Sequence, residues 1–195
     1  VRDEFIRIRA RIDAIRETRM YMSHGRRAAV REITKLKGKG DAEGVFGTVA
    51  DLINVPPEYS TAVEASAASR LTYLVTKSED DAARLVQFLK KTKIGRASFL
   101  PLDALRAKFP AEYPKGKGVI GPVKDLIKFD KQFEPAIDYI FGNTLIVRDL
   151  DAARALRHTD LRRVTLEGDL IEPSGLITGG FYGKGKLLGE KPDLP

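Results

Sequence analysis

The chain contains no cysteine and no tryptophan. Without cysteine there is no disulfide framework, no thiolate nucleophile and no sulfur ligand for a metal, a composition that suits a reducing cytosol. Histidine is nearly as scarce. His24 and His158 are the only two, and neither has the spaced partners of a metal site. No apolar run approaches the ~18 residues of a membrane span, and no signal-peptide pattern opens the chain. A soluble, intracellular protein is expected, with no membrane partner. No Ser-His-Asp grouping is suggested, so neither catalysis nor a cofactor is expected.

The 195 residues, 43% of them hydrophobic, suffice for one large domain or two small ones with a real core. The net charge of +7 is unevenly spread, with 12 Lys/Arg against 7 Asp/Glu in residues 1–43. A basic segment of this kind suits a polyanion such as nucleic acid, and equally a solvated helix face. Apolar residues there step by three and four: Phe5, Ile8, Ile12 and Ile15. The register continues through Arg19, Met22, Arg26, Ala29, Ile33 and Leu36. This is a heptad seam with two positions given to arginine, and it implies a partner helix. Ser23-His24-Gly25 is expected to interrupt the helix, and Lys37-Gly38-Lys39-Gly40 to end it.

An internal repeat follows. Gly44-Val-Phe-Gly-Thr-Val-Ala-Asp-Leu-Ile recurs as Gly118-Val-Ile-Gly-Pro-Val-Lys-Asp-Leu-Ile, an offset of 74. Tyr59-x-x-Ala62-Val63 matches Phe133-x-x-Ala136-Ile137. Asp81-Ala-Ala-Arg84 then answers Asp151-Ala-Ala-Arg154 at an offset of 70, and Arg96–Leu100 answers Arg163–Leu166. Each copy reads as a glycine-rich entry followed by helix, strand, helix and strand. Helices are expected over 58–69, 80–91, 132–141 and 151–157, with Asp80 and Asp151 as N-caps. Strands are expected at 71–75 and 145–147 and at the two Arg-led runs. The fold class is α+β: two tandem, similar subdomains at 44–102 and 118–182, joined by a linker at 103–117. A coiled-coil arm (1–43) precedes them and a tail (183–195) follows.

Two glycine strings invite a nucleotide-binding reading, which would make the chain a small enzyme domain. Gly116-x-Gly118-x-x-Gly121 has the dinucleotide spacing, but it follows a proline-rich loop, and the sister copy has Ala42 at the first glycine. Gly180-x-x-x-x-Gly185-Lys186 resembles a P-loop with Leu187 where a magnesium-binding Ser/Thr belongs, and Leu188-Gly-Glu-Lys-Pro192 cannot supply the following helix. Asp51 and Asp125 are repeat equivalents and fit turn caps better than a catalytic pair. The remaining glycine-rich stretch, Pro173-Ser-Gly-Leu-Ile-Thr-Gly-Gly180, suits either a phosphate or a close-approaching second chain. The missing P-loop features and the tandem repeat favour the second chain.

Four longer runs are more specific: Gly44–Ile53, Gly95-Arg-Ala-Ser-Phe-Leu-Pro-Leu102, Gly142-Asn-Thr-Leu-Ile-Val147 and Val164–Gly180. In order across 44–180 they resemble the hinge domain of the structural maintenance of chromosomes (SMC) proteins, of the prokaryotic type. A non-SMC scaffolding module of related fold is the other reading. The resemblance implies a doughnut-like homodimer whose subdomains meet through strand edges. It places the contacts at Ala67, Ala68, Ser69, Arg70 and Leu71 and at Gly175, Leu176, Ile177, Thr178, Gly179 and Gly180. Ala67-Ala68-Ser69 departs from the family's Leu-Gly-Gly run, and the Gly/Pro-rich 183–195 departs from its returning helix. Leu176–Gly180 is expected to add to a partner edge near Ala68–Val75. DNA, bound without sequence preference, is expected on a patch formed by Arg26, Arg27, Arg31, Lys35, Lys37, Lys39, Lys184 and Lys186. The family implies a cytoplasmic, nucleoid-associated parent in chromosome condensation and segregation. Its ATPase heads lie outside this stretch, and it works with kleisin-type subunits.

Overall fold

The computed structural model describes residues 25–180, apart from 108, 109 and 111. The arm residues 1–24 and the P-loop-like string beyond Gly180 lie outside the described residues. A helix, α1 (25–36), leads through a 3-10 turn at Gly40–Ala42 into the repeat. Gly25 is already helical, so the break expected at 23–25 does not include it.

The first copy contains β1 (Val45–Thr48), α2 (Val49–Leu52), β2 (Ile53–Asn54), α3 (Ser60–Ala67), β3 (Leu74–Thr76), α4 (Glu79–Thr92) and β4 (Phe99–Pro101). The second contains β5 (Val119–Pro122), α5 (Val123–Leu126), β6 (Lys128–Phe129), α6 (Glu134–Phe141), β7 (Thr144–Val147), α7 (Leu150–Ala155) and β8 (Arg162–Thr165). A hairpin of β9 (Leu170–Ile171) and β10 (Ile177–Thr178) extends the second copy alone. The strand orders are β1-β3-β4 and β10-β9-β8-β7-β5, and β2 pairs with β6 between the copies.

Strand register corrects the repeat's later half. Thr48 pairs with Leu74 as Pro122 pairs with Leu145, so the offset there is 71. Leu74 pairs with Phe99 as Leu145 pairs with Arg163, so the offset at the last strands is 64. Phe99-Leu100-Pro101 therefore answers Arg163-Val164-Thr165, and Arg96 is not the counterpart of Arg163. The Asp-Ala-Ala-Arg match is one residue out of register, because at 71 the buried Asp81 and Ala82 fall on the buried Ala152 and Ala153. The extra 3-10 turn Ala68–Thr72 and the 14-residue α4 against the 6-residue α7 account for the slippage. The helix caps move accordingly. Ser78, not Asp80, caps α4 in a capping box with Asp81, and Asp149, not Asp151, caps α7. The Ser78 hydroxyl, followed by Arg84, holds the Asp81 carboxyl below the usual carboxylate range. Asp51 closes a capping box with Thr48, as a turn cap should, whereas Pro122 leaves α5 without that side-chain cap.

The repeat's glycines have local causes. A Cβ at Gly44 would run into the Asp81 carboxylate, and one at Gly118 would lie 2.6 Å from the Ala152 Cβ, the equivalent helix position. Gly47 and Gly121 sit at matching β-bulges with φ +136° and +157°. The dinucleotide-like string thus leads into a strand and a bulge, not out of a strand to a phosphate-facing helix.

The two copies share one core. Val49, Val63, Leu71, Val75 and Leu100 pack with Val123, Phe133, Ile137, Ile146 and Val164, and Phe46 meets Phe133 edge-on at 5.2 Å. Asn54 pairs with Lys128, its own repeat equivalent, so a local two-fold relation passes through the β2–β6 ribbon. The other face of the first sheet is covered by α4 and α1. Ala29 and Ile33, both at 0% exposure, pack with Val45, Leu74, Leu85 and Leu89. The heptad seam at these positions therefore faces the domain itself, and α4 serves as partner helix there.

Ala68 ends α3 at φ 49°, ψ −127°, a conformation that L-residues avoid and glycine accepts. Its side chain is exposed and contributes little packing. Ala68→Gly is expected to stabilise the fold by about 1 kcal/mol, the relief of strain exceeding the entropy lost with glycine. Urea denaturation would show a higher midpoint at constant slope.

Candidate interaction edges and basic surface

Four strands end the two main sheets, and they are not equivalent. β1 and β5 carry the Gly47 and Gly121 bulges, which interrupt regular pairing. β4 and β10 carry no bulge and have no strand on their outer sides among the described residues. β10 and the residue before it are bare where an edge strand is normally guarded by charge or proline: Leu176, which leads into the strand, is 61% exposed and Ile177 58%. The hairpin is closed by Glu172 and Leu176 (N–O 2.9 Å), with Gly175 at φ +89° in the turn. All of Pro173–Gly180 is exposed.

The expected contact residues divide. Gly175–Gly180 lie together on this open hairpin. Gly179 is glycine for a reason inside the protomer, since a Cβ would strike the Asp169 carboxylate, which accepts from the Gly180 N–H at 3.1 Å. Ala67 and Leu71 are at 0% exposure and line the core, while Ala68 and Ser69 are exposed. β3 is the middle strand of its sheet, fully buried, so the stretch near Ala68–Val75 offers no edge. The edge of that sheet is β4, where Pro101 removes one donor and limits pairing to the residues before it.

Arg70 turns back to donate to the carbonyls of Ser66 (2.7 Å) and Ala67 (3.3 Å). Burial, then the like charge of Arg162, pulls its guanidinium down from the ordinary value. Arg162 is held bidentately by Glu172 at 2.9–3.1 Å. The neighbouring Arg163 is 2% exposed, donates to the carbonyls of Leu156 (2.8 Å) and Glu172 (3.0 Å), and is lowered by burial alone. It pins the start of the hairpin to the end of α7.

The basic residues also divide. The backbone of Gly25 touches that of Gly95, just past α4, while the turn after α1 packs against the start of α4. The two helices are therefore antiparallel. Exposed Arg26 and Arg27 come to the same end as the exposed Lys90, Lys91, Lys93 and Arg96, which reading the sequence alone did not nominate. Their signal is a charge run that only the fold brings beside the arm. Arg31 is exposed midway along α1. Lys35 pairs with Glu32 at 3.6 Å, and Lys37 and Lys39 are exposed just before the 3-10 turn Gly40–Ala42, at the opposite end of α1 from Arg26 and Arg27. Lys184 and Lys186 lie outside the described residues. Among the described residues no cluster of three metal-ligating side chains forms, and no helix is long and apolar enough to cross a membrane.

These features define an α+β domain: an internal repeat around one core, an entering helix packed on the outer face of the first sheet, and two bare strand edges among the described residues. The model of the SMC proteins' flexible hinge domain matches residues 42–157. The chromosome partition protein Smc of Methanocaldococcus jannaschii is 40% identical over 187 residues, covering 94% of this chain and 15% of the relative. That of Aquifex aeolicus is 41% identical over 142 residues, covering 72% and 12%. Among solved structures, an asymmetric dimer of the Geobacillus stearothermophilus SMC hinge domain superposes with a TM-score of 0.76 at 31% identity, over 93% of this chain and 77% of that one. The Pyrococcus furiosus SMC hinge domain gives 0.68 at 32%, over 94% and 90%. The chain belongs to the SMC hinge domain family. It spans between about an eighth and a seventh of the length of these Smc relatives.

Proposed function

We propose that this domain is a homodimerisation hinge, in which β10 of each copy adds to β4 of the other. The observation that carries the reading is the bare, apolar β10 edge. Each protomer has one β10 and one β4, so a two-fold pair uses every such edge and closes without leaving a template for further chains. The dimer described for the Geobacillus stearothermophilus hinge, an asymmetric one, supports self-association. Because the chain lacks cysteine, introduced thiols report cleanly. A Ser98→Cys, Thr178→Cys double variant treated with a short bis-maleimide is expected to give covalent dimers, and each single variant none. A double variant that behaves like the singles would contradict the pairing.

A second reading rests on the basic end of α1. Arg26, Arg27, Lys90, Lys91, Lys93 and Arg96 form a surface suited to the phosphates of DNA, without sequence preference. With about four phosphate contacts, affinity is expected to fall on the order of a hundredfold between roughly 50 and 200 mM salt. Alanine at Arg26 and Arg27 is expected to flatten that slope by about two, and alanine at Lys37 and Lys39 to change it less. A salt-independent affinity would exclude the patch. On this account the parent is a chromosome-partition ATPase on the nucleoid. Its arms meet here, its heads lie outside this stretch, and kleisin-type subunits are its partners.

A further inference from the structure

We infer that the arm helix and the dimer edge are energetically coupled through the six residues 93–98, so that displacing the arm loosens the dimer. The inference rests on the proposed β4–β10 pairing and adds a regulatory route to it.

At Gly95 the loop after α4 lies directly against α1. A Cβ there would run into the Gly25 carbonyl, lying 2.6 Å from its carbon and 3.0 Å from the Gly25 Cα. These are backbone atoms, which cannot rotate away as a flexible side chain would. Gly95 also has φ +151°, which further disfavours any other residue. Four residues on, the same segment becomes the edge strand. The Ser98 carbonyl accepts from Leu74 N–H at 2.9 Å, and Phe99 pairs with Leu74. Ala97 and Phe99 pack against the cluster formed by Ala29, Ile33, Leu85 and Leu89, while Leu100 points into the shared core. One short segment therefore touches the arm by backbone at one end and by side chain at the other. Its remaining backbone face is the one offered to a partner strand.

Close packing transmits such a contact because cores shift between discrete arrangements and do not deform smoothly. Moving α1 withdraws support from Phe99 and changes the line of β4. By linkage, pairing at β4 must in turn hold α1 in place, to the same factor.

The test is made on the whole chain. Gly95→Val is expected to weaken dimerisation about tenfold, within the range usual for coupled sites, and to raise hydrogen exchange at the α1 amides 29–36. Arg96→Ala, exposed on the same loop, is expected to do neither. The reciprocal measurement leaves Gly95 untouched and so survives a misfolded valine variant. A chain made monomeric by Leu176→Glu is expected to exchange its α1 amides about tenfold faster than the dimer. A Gly95→Val dimer of unchanged dissociation constant, or equal α1 protection in monomer and dimer, overturns the coupling. If the unsubstituted chain is itself monomeric, the pairing reading fails first and the coupling with it.

Discussion

Arg163→Ala is expected to lower the stability of the domain by about 3 kcal/mol. The guanidinium is a buried cation whose hydrogen bonds run to two backbone carbonyls, of Leu156 and Glu172, with no carboxylate bonded to it among the described residues. Its Nε has no partner there either. Removing it takes one donor from each carbonyl, leaving Leu156 with the N–H and hydroxyl of Thr159 and Glu172 with the Gly175 N–H. Each lost bond therefore costs at most about 1 kcal/mol, and the greater part of the loss is the cavity beneath α7. Arg163→Met separates the two contributions. It fills the space and removes the cost of burying a charge, so it is expected to lose roughly half as much. Phe99 occupies the equivalent position of the first copy, which shows that an apolar side chain suits this architecture. Urea unfolding decides the matter, and an alanine variant within about 1 kcal/mol of the parent would mean that the space left by the side chain closes or fills with water.

The second large effect concerns assembly. Leu176→Glu with Ile177→Glu is expected to weaken the dimer by at least about a hundredfold while leaving protomer stability within about 0.5 kcal/mol. Both side chains are more than half exposed, so the isolated fold loses little when they become charged. In the proposed seam each would bring an unpaired carboxylate into a desolvated strand contact, and the two-fold axis doubles the penalty. This variant is cleaner than charge at Gly179, where a side chain would meet Asp169 within its own protomer.

Much of the fold was legible in the sequence, for physical reasons that also mark the limits. Gly44–Ile53 and Gly118–Ile127 match without gaps because strand, bulge and short helix admit no change of length, and the structure keeps their offset of 74. Helix length is less constrained. The longer α4 and the added turn at Ala68–Thr72 shift everything after them, and a coincidental Asp-Ala-Ala-Arg string concealed a slip of one residue. The heptad seam correctly marked Ala29 and Ile33 as buried positions, but periodicity cannot say whether a helix meets a coil or its own domain.

The hairpin at 170–178 was visible as a glycine-rich stretch, yet its glycines serve the turn and Asp169, while Leu176 and Ile177 are what leave it bare. A strand was expected at Arg96–Leu100, but that β4 is an open edge is a property of sheet order, with Pro101 its one local sign. Lys90, Lys91, Lys93 and Arg96 were hidden for the same reason, since only the antiparallel packing of α1 and α4 sets them beside Arg26 and Arg27.

The central claim is that two copies join through β10 and β4. Sedimentation equilibrium of the unsubstituted chain beside the Leu176→Glu, Ile177→Glu variant, across a range of concentrations, tests it most directly. The account predicts a mass twice that of the chain for the first and the mass of one chain for the second, with matching circular dichroism. A variant that remains dimeric with unchanged affinity would contradict it.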